Sequence, residues 1–131
     1  MAGRAIIQKC LGEIEMSPTM PKPNKRYTAV ILYVATALAL DEAPLYEEEV
    51  VLIEAHSEAE AKHKAIEYAK QQETSYKNGD GETIVNTFKG IVDVQRMIDA
   101  DMAHGSTLYV RHFRDYQAYE SFEPMLKGEP L

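Results

Sequence analysis

The sequence predicts an α+β domain, an antiparallel sheet of about four strands in the order β-β-α-β-β with one main helix packed on one face. Three observations point there: a strand opening at Tyr27 that is apolar on both faces, a capped helix beginning at Ser57, and Gly-rich punctuation between later strand-like runs.

From Tyr27 the chain places Ala29, Ile31, Tyr33 and Ala35 on one side and Val30, Leu32 and Val34 on the other. A strand buried on both faces has that pattern. A loop with Asp41 and Pro44 leads to Y-E-E-E-V-V-L-I-E-A (46–55), which climbs from charge into β-branched residues. It reads as a second strand, paired with the first as a hairpin or near-hairpin, its acidic beginning at an edge or end of the sheet.

S-E-A-E (57–60) puts Ser at an N-cap with Glu three residues later, the reciprocal capping box. The helix is expected to run to about Glu73, with Ala61, Ala65, Ile66 and Ala69 on one face and Glu60, His63, Lys64, Glu67 and Gln71 on the other. An alanine face lets a helix lie close on a sheet.

Y-K-N-G-D-G-E (76–82) poses a choice between a metal loop and a turn. If Gly81 is the sixth residue of a calcium loop, Tyr76 stands first and Thr87 twelfth, where an acid and a bidentate Glu are needed. Asn78-Gly79 and Asp80-Gly81 instead tolerate positive φ, so the segment is expected to end the helix and reverse into E-T-I-V-N-T-F (82–88). That strand continues past Gly90, taken as a bulge, into I-V-D-V-Q-R-M (91–97). A short helical turn over 98–105 closed by Gly105, a last strand at 107–113, and a short helix or turn after Asp115 complete the expectation.

The chain has 131 residues, enough for one domain with a core, and a single Cys10, which excludes an internal disulfide or a cysteine-based zinc site. No secretory signal is read at the start. The longest apolar run, 27–40, stops at Asp41, short of a membrane helix. A cytoplasmic protein without a membrane or cofactor is expected. S-P-T-M-P-K-P-N-K-R (17–26) reads as a linker, which divides the chain into an N-terminal extension, 1–26, and a single domain, 27–131. Ile7, Cys10, Leu11 and Ile14 recur at helical spacing upstream, and Met16 or Met20 is an alternative start.

Net charge is −7, split as +3 over residues 1–26 and −10 over 27–131. No Lys or Arg occurs between Tyr27 and Ala61, so nucleic acid is not an expected ligand. The acidity reads either as a solubility device or as a steering surface for a basic protein.

The runs Y-T-A-V-I-L-Y, E-E-E-V-V-L-I-E-A-H-S-E-A-E-A-K and Y-K-N-G-D-G-E-T-I-V-N-T-F-K-G-I-V-D-V together resemble the domain-of-unknown-function family numbered 4288, over about residues 26–114. Glu48 or Glu49, Asn78, Gly81 and Glu82 match polar positions of that pattern. The resemblance implies a small domain and brings no established activity.

Two functional classes follow from residue types. The first is a non-enzymatic binding protein, such as an accessory subunit, inhibitor or immunity-type protein. It would present an acidic face to a basic protein partner, with Glu47, Glu48, Glu49, Tyr116, Tyr119 and Phe122 as contact candidates. The second is a small enzyme in which Glu48 or Glu82 joins His112 as an acid/base pair. His56 and His63 read as surface histidines rather than zinc ligands, and His104 as a turn residue. A sheet with one covering helix leaves one face bare, and with the C-terminal aromatics this predicts a homodimer.

Overall fold

The computed structural model describes residues 24–38, 43–98 and 101–128. Strands β1 (Lys25–Ala37) and β2 (Leu45–Ala55) precede helix α1 (Glu58–Gln71), followed by β3 (Thr74–Lys77), β4 (Thr83–Arg96), α2 (Tyr116–Phe122) and a 3-10 turn (Pro124–Lys127). The sheet is antiparallel in the order β2-β1-β4-β3. The α+β class and the β-β-α-β-β order are as expected. Residues 1–23 of the expected N-terminal extension, with its alternative starts, and Asp41 lie outside the described residues, whereas Lys25 and Arg26, expected in the linker, already pair with Ala55 and Glu54 as the start of β1.

β1 is central because both its neighbours pair along nearly its whole length. Its odd residues Tyr27, Ala29, Ile31 and Tyr33 face α1 and join Ile53, Ala55, Ala61, Ala65 and Ala69 in one core. Ala61, Ala65 and Ala69 are fully buried, so the absence of larger side chains on that face brings the helix axis close to the sheet. Its start is fixed locally. Ser57 Oγ accepts from the Glu60 amide at 3.1 Å, and the Glu60 carboxylate accepts from the His56 amide, which holds the Glu60 carboxyl below the usual range. Ser57→Ala is expected to cost about 0.5–2 kcal/mol in urea unfolding. An unchanged midpoint would show that the cap does not set the helix start.

Two strand assignments differ from expectation. The helix stops at Gln71 rather than about Glu73, and Thr74 to Lys77, expected between the helix end and the reversal or in its first residues, form β3. The Glu73 carboxylate accepts from the Phe88 amide at 2.9 Å and draws the chain alongside β4 as it leaves the helix. Asn78 then closes the hairpin: its side-chain oxygen accepts from the Asp80 and Glu82 amides and its Nδ2 donates to Glu82 Oε1, with Gly81 at φ +80°. The turn expected at 76–82 is present, but between two strands.

Residues 107–113 are not a strand. Gln95 explains why, because its side-chain amide donates to the Val110 carbonyl and accepts from the Val110 amide at 3.4 Å. A side chain on the sheet face thus supplies the bonds a neighbouring strand would, and the segment crosses the face instead of extending the edge. The described part of 98–105 is a turn rather than a helical one, with the Ser106 amide donating to the Ala103 carbonyl and Gly105 at φ +88°. β4 is a single strand with register shifts against β1 between Val30 and Ile31 and between Leu32 and Tyr33, so Gly90 lies between two bulges.

Candidate functional site

Two side-chain clusters flank β1, one on each face. On the helix side, Glu49 of β2 accepts from the Tyr33 hydroxyl at 3.0 Å and, through its other oxygen, from the Tyr68 hydroxyl at 3.2 Å. One carboxylate ties three elements together. Burial pushes the Tyr33 hydroxyl well above the ordinary tyrosine range, reinforced by the bond to Glu49 and by the negative charges of Glu49 and Glu47. Tyr68 shifts the same way, mainly through burial.

On the opposite face, Asp93 Oδ2 accepts from Tyr109 Oη and from Gln95 Nε2, each at 2.9 Å, while Asp93 Oδ1 accepts from the Val94 amide. Burial alone would raise the Asp93 carboxyl, but these three bonds and the Arg111 charge together hold it below the usual carboxylate range. Asp93 and Gln95 are therefore the anchors of the 106–113 segment. Asp93→Ala is expected to cost about 1–2 kcal/mol and to speed amide exchange at Val110 selectively. Uniform exchange across the sheet would contradict an anchoring role.

An open groove of about 480 Å³ lies between α1 and β4, lined by Glu58, Ala59, Lys62 and residues 91–94. Among the described residues there is no group of three His, Cys, Asp or Glu side chains able to hold a metal ion, and no helix is long and apolar enough to cross a membrane.

The contact candidates separate into distinct environments. Glu47 and Glu48 are exposed, Glu47 on the helix side and Glu48 on the face that carries Tyr109. Glu49 is half-buried and committed to its two tyrosines. Tyr116 and Phe122 project from α2, 56% and 67% exposed, whereas Tyr119 stacks on Phe113 with ring centroids 4.4 Å apart. The acid/base candidates are not brought together. Glu82 is held in the hairpin by Asn78, and Glu48 pairs through Leu32 to the level of Gly90, roughly 25 Å along β4 from Glu82. Among the described residues, no hydrogen bond or ion pair joins either carboxylate to His112, which is exposed.

Tyr33, Tyr68, Asp93 and Gln95 were not singled out as site residues from sequence, and Tyr109, read as a core-closing aromatic, is half-buried and bonded to Asp93. A signal existed for two of them: a Tyr and an Asp inside apolar strand runs, Y-V-A and I-V-D-V, each require a polar partner when buried.

The fold and these clusters define a small sheet-and-helix domain whose polar groups brace its own elements. The matching family model is Domain of unknown function (DUF4288), over residues 26–110, and the chain belongs to that family. The match ends at Val110, at the Gln95 anchor, so α2 and the 3-10 turn lie beyond it. No curated protein and no solved structure matches the chain.

Proposed function

We propose that the protein is a non-enzymatic binding protein that presents the margin of β2 to a basic protein partner. The observation that carries this reading is the state of Glu47 and Glu48. Both are exposed on the strand that forms one edge of the sheet, and neither has an ion-pair partner among the described residues. Several other surface acids are matched, Glu54 with Arg26, Glu60 with Lys64, Glu67 with His63 and Glu120 with Lys127, while Glu58, Asp80 and Asp101 are also exposed without an ion pair among the described residues but lie off the β2 edge. An edge strand also offers unpaired backbone groups, which an extended partner segment can meet as an added strand. Lysines and arginines on that segment would neutralise carboxylates on both faces of the edge. The chain would work in the cytoplasm, in agreement with its single Cys10.

The test is capture from the native host by the wild-type chain and by a Glu47→Lys, Glu48→Lys variant, at low and raised salt. A protein rich in Lys and Arg is expected on the wild type alone, released as salt screens the contact. Equal retention by the charge-reversed chain, or retention insensitive to salt, would refute the reading.

A further inference from the structure

Among the described residues, two apolar surfaces lack cover. The first is the outer row of β2, where Tyr46, Val50 and Leu52 are 53%, 53% and 45% exposed. These residues lie opposite Val34, Val30 and Thr28 of β1, on the face away from α1. The 106–113 segment crosses that face at the level of Asp93 and Gln95, while Val30 and Thr28 beneath are buried, so its cover stops short of the β2 row. The second surface is the C-terminal arm. Among the described residues, α2 has no buried residue and meets no strand and no other helix; it contacts the 3-10 turn that follows it and, through Tyr119, the Phe113 ring. Tyr116, Phe122, Met125 and Leu126 along this arm are 56%, 67%, 70% and 50% exposed.

We infer that two copies of the chain exchange these arms, α2 and the 3-10 turn of each seating on the Tyr46, Val50 and Leu52 row of the other. The areas agree with a second copy as the occupant. Large aromatic side chains bury about 150–250 Å² each, and at the observed exposures arm and seat together offer roughly 800 Å². A two-fold axis doubles this to roughly 1,600 Å², the size of a standard stable interface. A single arm on a single seat would fall well below it. Glu48 shares the row, and on an edge strand its carboxylate can turn to water at the rim. The inference is independent of the basic partner proposed above, because it concerns the purified chain alone.

Light scattering on the full chain at micromolar concentration is expected to give twice the chain mass of 14.8 kDa. Either Tyr116→Ala with Phe122→Ala, or Val50→Lys, is expected to return it to the monomer mass with unchanged circular dichroism, since the arm touches no strand. A Cys10→Ser, Val50→Cys, Phe122→Cys chain tests the geometry directly, because oxidation is expected to link two copies into a covalent dimer on a non-reducing gel. A monomeric wild type overturns the inference. A disulfide closed within one chain overturns it by placing the arm on its own sheet, and a dimer with no cross-link overturns it by placing the interface elsewhere.

Discussion

Glu49→Ala is expected to lower stability by about 3 kcal/mol, because hydrogen bonds to a charged acceptor contribute about 1.5–3 kcal/mol and this carboxylate accepts two. The larger share belongs to Tyr33, which is 2% exposed and would keep a buried hydroxyl with no partner. Tyr68 is half-buried, and water replaces part of what it loses. For a domain of this size the change corresponds to a fall of roughly 10–15 °C in Tm. Glu49→Gln retains one acceptor oxygen and is expected to lose about half as much. The decisive comparison is a double-mutant cycle. In a Tyr33→Phe, Tyr68→Phe background neither hydroxyl remains to be orphaned, and Glu49→Ala is expected to cost under about 1 kcal/mol there. A cost equal in both backgrounds would mean that Glu49 acts through something other than the two tyrosines.

The same residue shows where sequence reasoning reached its limit. E-E-E at 47–49 reads as one acidic patch, because adjacent carboxylates are alike in composition. Alternation along a strand separates them: Glu48 turns to the outer face, while Glu47 and Glu49 turn toward the helix, and only Glu49 lies deep enough to meet Tyr33 and Tyr68. The partner Tyr68 is nineteen residues away, and no local pattern encodes that meeting. Features encoded within a few residues were legible. Ser57 and Glu60 specify a helix start, Ala61, Ala65 and Ala69 specify a close-packed face, and Asn78 to Gly81 specify a reversal. Features that depend on a distant side chain were not. Thr74 to Lys77 carry no strongly apolar face and become a strand because β4 and the Glu73 carboxylate hold them there. Tyr109 to Phe113 do alternate like a strand, but Gln95, fifteen residues before Val110, takes the backbone bonds that would have paired them. The exposed state of α2 was likewise only half-readable: the three-residue spacing of Tyr116, Tyr119 and Phe122 predicts a shared face, yet Tyr119 is turned against Phe113.

Stability is expected to be flat with pH near neutrality as far as the tyrosines are concerned, and to fall above about pH 10 by about 1.4 kcal/mol per pH unit for Tyr33 alone. The sign follows from which state holds the proton. Unfolded, Tyr33 titrates near its ordinary value of 10.0; folded, burial and the Glu49 carboxylate keep it protonated to higher pH. Its contribution is complete below the unfolded value and is lost as pH rises toward the folded one, because ionisation then favours the unfolded chain. Tyr68 and Tyr109 are raised in the same direction and add to the slope, by less because both are only half-buried. Urea midpoints measured across the alkaline range should therefore fall more gently for Tyr33→Phe than for the wild type, and tyrosinate absorbance of the native protein should lag that of the unfolded chain. Glu49→Ala separates its share from the rest: with that carboxylate gone, burial and the weaker effects of Tyr68 and Glu47 remain, so the Tyr33 contribution to the slope should begin at the same pH but end at a lower one. An alkaline slope identical in wild type and Tyr33→Phe would mean that the Tyr33 hydroxyl ionises as freely in the folded protein as in the unfolded chain, and the buried tyrosine-carboxylate brace would have to be abandoned.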